Sequence, residues 1–258
     1  MMRGIWDRET VALMLIAALM PVALAWLWFG GAEAGARLLF TLAISGVWHL
    51  IFMLLRAQRP SFSVVIFAFS IAMFSPENLT LFQMVLGISF GIVMAELVFG
   101  GWGRNVLNPG TITLAFLGFS FPAAPWPEIL LPVAWAAIPT AFLGVVLGLM
   151  PSRVILSTVA VLALGWILGA GVEPVLIAAM LVLVVLVSDP VTSASTHLGG
   201  LLYGLAYGGL VILFSNYWLE AAPMQLCISA ALLTTLAAPL FDETAISVWL
   251  AQRKRRHG

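Results

Sequence analysis

Charged residues are scarce in this sequence: only 9% of its 258 residues are Asp, Glu, Lys or Arg. A soluble domain carries about 25%, whereas 62% of this chain is hydrophobic and its mean hydropathy is +1.11. The lack of charge excludes an ordinary soluble domain, and the sequence shows no basic surface of the kind that binds nucleic acid. The composition indicates an all-α polytopic membrane protein.

Cysteine and histidine are also scarce. Cys227 is the only cysteine, which excludes an intrachain disulfide and an iron–sulfur cluster held by this chain alone, because such clusters usually take four thiolates. His49 lies within an apolar stretch, and neither His197 nor His257 has the spacing to join it as a haem ligand. No metal site is expected.

Long apolar runs fill almost the whole chain, and no soluble domain is left between them. The first run is too long for the core of a signal peptide and others follow it, so it is interpreted as a membrane span. Several runs are shorter than the about 20 residues that a full span needs. We predict about ten spans: Thr10–Gly30, Arg37–Leu55, Pro60–Ser75, Thr80–Gly100, Pro109–Phe121, Ile129–Met150, Val154–Leu168, Pro174–Val187, Leu198–Phe214 and Pro223–Leu240.

The basic residues indicate the orientation in the membrane. Ten spans place both termini on one side. If that side is the cytoplasm, ten of the eleven basic residues fall on it and only Arg37 falls outside. This agrees with the rule that cytoplasmic loops are enriched in Lys and Arg. We therefore expect both termini to be cytoplasmic.

Three pairs of prolines share an offset of 114 residues: Pro60 and Pro174, Pro76 and Pro190, and Pro109 and Pro223. The offset superposes the first five spans on the last five, and an odd number of spans requires the two halves to be inverted. We predict a single membrane domain, 1–258, made of inverted five-helix repeats at about 1–124 and 125–258. Matching interrupted helices in such repeats indicate a buried site between the halves.

The two predicted interruptions are polar breaks in apolar surroundings. They lie at 74–78 on the outer side and at 188–190 on the inner side. Asp189 before Pro190 predicts a helix start, with Asp as the N-cap and Pro as the first helical residue. Glycine pairs with a spacing of four residues follow each break, Gly87 with Gly91 and Gly200 with Gly204, and this spacing lets helices approach closely.

Three separated segments carry a resemblance to a known family. The first runs through Gly87–Val93 to Glu96–Pro109, the second is Ser188–Ser195, and the third is Ala238–Asp242 with a basic tail. They resemble NqrB, a membrane component of the sodium-translocating NADH:quinone reductase, and its relative RnfD of the Rnf electron-transport complex. The similarity covers about 67–122 and 181 to the end.

The resemblance implies a membrane subunit of a multi-subunit, ion-motive oxidoreductase in the bacterial inner membrane. Its partners would be the other subunits of that complex, with quinone as a candidate electron acceptor. Members carry an FMN esterified to threonine in a Ser-Gly-Ala-Thr sequence after the fifth span. This chain has Phe121–Glu128 there, without threonine or insertion, so a covalent FMN is not expected.

The resemblance also implies a second flavin, riboflavin or FMN, held without a covalent bond. Asn105 and Asn108 match its site, since amides offer both the donors and the acceptors that a flavin edge needs. The alternative is that Asn108 only caps a helix and Asn105 only belongs to a loop. Further candidate ligands at this membrane face are Asp189, Thr192, Ser193 and Trp102.

Two ionisable residues lie within predicted spans. Glu96 is a candidate for an ion pathway because acids inside spans are frequently functional, although it could instead pair with Arg104. His49 is a second candidate, although a lone histidine there more often bonds a neighbouring helix.

The leading hypothesis is a flavin-binding subunit that takes part in electron transfer coupled to ion transport. The chain is at most one subunit of such an enzyme. Two alternatives stay open at this point: a small-solute channel or transporter of urea-transporter-like architecture, and a redox-inactive scaffold subunit.

Overall fold

The computed structural model describes residues 7–56 and 61–257, and no strand occurs among them. Pro60, Arg3 and Arg59, which contribute to the predicted repeat and topology, lie outside these residues. The α-helices are α1 (Arg8–Arg56), α2 (Ser63–Phe74), α3 (Leu81–Ile92), α4 (Pro109–Ser120), α5 (Leu131–Trp135), α6 (Ala137–Val146), α7 (Ser152–Ile167), α8 (Leu176–Val182), α9 (His197–Tyr217) and α10 (Pro223–His257). A 3-10 helix, Glu173–Val175, leads into α8, and π-helices extend α3 (Val93–Leu97) and α8 (Leu183–Val187).

Helix α1 is a hairpin of two helices. At Gly31 the backbone leaves helical geometry, with φ 57° and ψ −142°, a region that glycine adopts without steric cost. Glu9, near the start of α1, accepts a hydrogen bond from the N–H of Phe62 just before α2. Arg37, past the break, donates to Ser75 at the other end of α2. The break therefore separates the first two predicted spans.

Three helices are long and apolar enough to cross a membrane: Arg8–Arg56, His197–Tyr217 and Pro223–Arg253. Six shorter apolar stretches fall on the other predicted spans: Ser63–Phe74, Leu81–Leu97, Pro109–Ser120, Leu131–Val146, Ser152–Ile167 and Glu173–Val187. Together with the composition, these helices confirm a membrane protein. The number of spans and the inverted repeat stay predictions.

The short helix α2 lies inside the bundle. Ten of its 12 residues are buried, whereas Trp28 and Leu55 of the long helix α1 are 83% and 78% exposed. A helix that ends inside protein can have a polar end without placing unsatisfied backbone groups in lipid. The core position of α2 therefore makes the polar break that follows it possible.

Glycines set the two closest helix contacts. A Cβ at Gly87 would overlap Leu117 of α4, and one at Gly91 would lie 2.9 Å from the Cα of Thr113. This confirms the close approach predicted for that pair.

In the second half the prediction is wrong by one turn. A Cβ at Gly200 would meet nothing closer than 3.8 Å, whereas Cβ atoms at Gly204 and Gly208 would press on α7. The contact is displaced because α9 crosses α7 further along its length than the sequence pattern indicates.

The prediction that Asp189 and Pro190 start a long helix is wrong. The N–H of Ser193 donates to the Asp189 carbonyl at 3.2 Å, which closes a single turn that does not continue. Helix α9 begins only at His197, where the hydroxyl of Thr196 acts as the N-cap.

A distant carboxylate determines this later helix start. Asp242 on α10 accepts hydrogen bonds from the backbone N–H groups of Ser195 and Thr196 at 2.9 and 2.8 Å, and from both their hydroxyls. Charge-assisted hydrogen bonds are about twice as strong as neutral ones. Tertiary contact with α10 therefore overrides the local signal of the Asp-Pro pair.

The outer break is held by Arg37. Its Nη2 donates to the carbonyl and hydroxyl of Ser75, both at 2.8 Å, and to the carbonyl of Pro76 at 3.2 Å. Ser75 is fully buried. One guanidinium thus satisfies acceptors that the end of α2 would otherwise leave unpaired.

Replacing Arg37 by methionine should lower the free energy of unfolding by about 2 kcal/mol, because hydrogen bonds to charged groups contribute about 1.5–3 kcal/mol. Chemical unfolding of the purified protein in detergent measures the change. Arg56→Met is the matched control: Arg56 has a cation–π contact with Phe52 at 5.3 Å, and its loss should cost about 1 kcal/mol at most. Equal losses in the two variants would show that the outer break does not depend on Arg37.

Candidate functional site

Two loops meet at the inner break. Asn108 caps α4, with its Oδ1 accepting from the N–H of Thr111 at 3.2 Å, and Pro109 follows in the first turn. The π-helix Leu183–Val187 ends opposite, directly before Ser188 and Asp189. Asn108 Nδ2 donates to Asp189 Oδ2 at 3.2 Å. This bond joins segments that are 81 positions apart in the sequence.

Asp189 is only 6% exposed, and both of its carboxyl oxygens have partners. Oδ2 also accepts from the hydroxyl of Thr192 at 2.8 Å, and Oδ1 accepts from the N–H of Val191 at 3.3 Å. The ion pairs found among the described residues, Arg8–Glu9 and His49–Glu96, do not include it. Because a buried carboxylate is costly unless it is hydrogen-bonded, these three donors take the place of a counter-cation.

Trp102 and Asn105 lie in the neighbouring loop, in which three glycines have φ between 91° and 105°. Asn105 Oδ1 accepts from the N–H of Gly103 at 3.0 Å, and its Nδ2 donates to the Leu107 carbonyl at 3.2 Å. Arg8 Nη1 donates to the Trp102 carbonyl at 3.0 Å. Asn105 therefore stabilises its own loop.

The structure brings three of the predicted site residues, Asn108, Asp189 and Thr192, into direct contact. Ser193 joins them through its backbone N–H alone, while Trp102 and Asn105 remain in the loop before α4. Asn108 is a cap and Asn105 a loop residue, as the simpler interpretation holds. Their role towards a ligand stays a prediction.

Three buried polar atoms near these loops have no hydrogen-bond partner among the described residues: Trp102 Nε1, Thr111 Oγ1 and Ser188 Oγ. Such atoms are rare, since the large majority of buried side-chain polar atoms are hydrogen-bonded. The candidate ligands chosen from the sequence did not include Thr111 or Ser188. No signal marks Thr111, because a helical threonine normally bonds back to its own helix, as Thr113 does to the Pro109 carbonyl at 2.8 Å.

A second polar cluster lies in the same half of the chain. Glu96 is fully buried in the π-helix that follows α3. Its Oε1 accepts from the hydroxyl of Ser63 at 2.9 Å and lies 3.3 Å from His49 Nε2. The alternative pairing with Arg104 is not found, because Arg104 is exposed. Ser63, like the contact between His49 and Glu96, was not visible in the sequence.

The largest cleft lies at the outer face, away from both clusters. It has a volume of about 170 Å³. Its polar lining consists of Arg37, Glu33, Glu77 and Glu128, and its apolar lining includes Trp26 and Phe29. None of the residues predicted for a flavin lines it.

The comparisons with known proteins agree with this arrangement of segments. The model of the NQR2, RnfD, RnfE family matches residues 3–130. NqrB of the Na(+)-translocating NADH-quinone reductase of Klebsiella pneumoniae (strain 342) is 26% identical over 83% of this chain and 66% of its own length.

The same component of the Pseudomonas paraeruginosa enzyme is 38% identical over a shorter stretch, covering 33% of this chain and 21% of its own length. The chain thus spans just under two thirds of the Klebsiella relative and about a fifth of the Pseudomonas one. The family match and both relatives agree with the resemblance carried by the three sequence segments. The chain belongs to the NQR2, RnfD, RnfE family.

Proposed function

We propose that this protein is a membrane subunit of an Nqr/Rnf-type electron-transport complex. Family membership, relatives named as subunits of a Na(+)-translocating NADH-quinone reductase, and long apolar helices support this. Its partners would be the other subunits of that complex, which would supply electrons, with quinone as the candidate acceptor. Electron transfer would be coupled to ion transport across the bacterial inner membrane.

Within that role, the chain would hold a flavin without a covalent bond at the inner break. The observation that carries this proposal is the set of three buried polar atoms without partners among the described residues: Trp102 Nε1, Thr111 Oγ1 and Ser188 Oγ. The polar edge of a flavin needs both donors and acceptors. An indole N–H donates and a hydroxyl can do either, so the residues present fit such a group.

The flavin, when bound, supplies the chemistry of electron acceptance and donation. The chain's own residues divide the remaining work. Asn108, Asp189 and Thr192 hold the two loops together through their mutual hydrogen bonds. Their low exposure keeps water away from this contact, and the spare donors and acceptors around it would orient the ligand.

The test uses a pair of isosteric variants on one helix. Thr111→Val removes a hydroxyl that has no partner among the described residues, so it should weaken flavin retention about threefold to tenfold, the effect of one lost hydrogen bond, without lowering stability. Acid release of the chromophore from the purified protein, followed by chromatography, gives the flavin per chain. Mass spectrometry of the same sample checks for covalent flavin, which is not expected.

Thr113→Val is the matched control, because its hydroxyl is already bonded to the Pro109 carbonyl. It should retain flavin like the unaltered protein. Folded protein that releases no flavin at all would refute the cofactor proposal, and equal retention in the two variants would refute the assignment of Thr111.

A further inference from the structure

The cluster of His49, Ser63 and Glu96 has no part in the proposed flavin site, and its geometry has chemical consequences of its own. Glu96 has no exposed surface, and the side chain of His49 is 14% exposed. The three residues come from the second half of α1, the start of α2 and the π-helix after α3. Three separate elements therefore converge on one carboxylate.

The hydrogen bonds determine how the imidazole is protonated. His49 Nδ1 lies 2.9 Å from the Ser45 carbonyl. A carbonyl can only accept, so Nδ1 must carry a hydrogen. The other ring nitrogen, Nε2, faces Glu96 Oε1 at 3.3 Å. If both groups lacked a proton there, two lone pairs would face each other, so one proton must lie between them.

Charge leads to the same conclusion. Without that proton the pair would be a buried anion, and burial of an unpaired charge costs several kcal/mol or more. With it the pair is neutral overall, either as imidazolium with carboxylate or as imidazole with carboxylic acid. The ion pairs among the described residues give Glu96 no cation other than His49.

The other ionisable groups packed nearby do not compensate the carboxylate. Asp189 is a second acid whose charge interacts with that of Glu96, so it disfavours an extra negative charge. Arg8 is paired with Glu9, which contacts the backbone just before Ser63. Arg104 is exposed. A bound proton is therefore the available way to neutralise this site.

The cluster also keeps unused hydrogen-bonding capacity. Glu96 Oε2 and Ser45 Oγ are buried and have no hydrogen-bond partner among the described residues. Structural carboxylates in protein interiors usually have both oxygens satisfied. A site that must gain and lose a proton needs an oxygen that is not permanently engaged.

We propose that His49 and Glu96 form a buried proton-binding site that takes up one exchangeable proton inside the membrane domain. The ligand is a proton and not a metal cation, because the imidazole nitrogen directly faces the carboxylate oxygen that a cation would need. The inference does not depend on the flavin site or on assembly into a complex.

The test follows the nitrogen resonances of His49 by NMR in full-length protein with a 15N-labelled imidazole ring. His197→Gln and His257→Gln in the same chain leave His49 as the only histidine. We expect Nδ1 to carry a hydrogen at every pH. Glu96→Gln should weaken proton binding at the ring at least about tenfold, because a neutral amide cannot stabilise an imidazolium.

Glu243→Gln makes the same chemical change at an exposed position and should leave the His49 titration unchanged. A neutral ring that carries its hydrogen only on Nε2 would overturn the proposal without any change at Glu96, which matters if the Gln variant does not fold. An unchanged titration in folded Glu96→Gln would also overturn it. Resonances that respond to added Na⁺ at fixed pH would show a cation site instead.

Discussion

Replacing Asp189 by alanine is expected to lower the free energy of unfolding by about 3 kcal/mol, because it leaves two buried side-chain donors unsatisfied at about 1–3 kcal/mol each. Those donors are the amide of Asn108 and the hydroxyl of Thr192. Removal of a buried carboxylate acts in the opposite direction. That gain is small here, since three hydrogen bonds already compensate the charge. Chemical unfolding in detergent measures the net effect.

A double-mutant cycle isolates the contact that joins the two loops. Asn108→Ala alone removes a helix cap, which costs about 1 kcal/mol, as well as the bond to Asp189. The two alanine variants should show a coupling energy of about 1–2 kcal/mol. Thr244→Ala, on an exposed part of α10, should combine additively with Asp189→Ala. Additivity in the Asn108 cycle as well would mean that the hydrogen bond does not stabilise the fold.

Glycine to alanine substitutions on α9 should have effects of opposite sign at positions five residues apart. A Cβ at Gly204 would press on the backbone carbonyl of Val154 and the hydroxyl of Ser157. Gly204→Ala should therefore destabilise the protein by about 2–3 kcal/mol, as overpacking does elsewhere. Gly209 is exposed and has nothing within 4 Å of such a Cβ. Gly209→Ala should stabilise α9 by up to about 1 kcal/mol through helix propensity.

Unfolding curves of the two variants in the same detergent compare them directly. The helices must also separate if the alanine is accommodated, which would break the bond from Thr158 Oγ1 to the Gly204 carbonyl, now 3.0 Å. Destabilisation by both substitutions, or by neither, would contradict the assignment of Gly204 as the contact between α7 and α9.

The sequence predicts the location of helices well, because lipid and the protein core both demand long apolar runs. It also locates the breaks, since Ser75 and Asp189 stand out against their neighbours. It fails at the start of α9, where the local Asp189–Pro190 signal yields to hydrogen bonds from Ser195 and Thr196 to Asp242 on another helix. It also misplaces the glycine contact with α7, because helix crossing points depend on the whole bundle.

The candidate site shows the same division. Asn108 and Asp189 could be chosen from their residue types and their place beside polar breaks, but nothing local shows that they bond to each other across 81 positions. His49 and Glu96 were singled out separately, and their contact across 47 positions is visible only in three dimensions. Thr111 carries no sequence signal at all, since what distinguishes it is a missing partner among the described residues.

The two π-helices have a consequence for how this chain tolerates insertions and deletions. A π-helical turn contains one residue more than an α-helical turn, so Val93–Leu97 and Leu183–Val187 each hold a surplus residue. Deleting one residue there would restore regular α-helical pitch and turn the following segment by about 100° around the helix axis. Asp189 would then point away from Asn108. Chain length in these two short segments is therefore fixed more strictly than its side-chain chemistry.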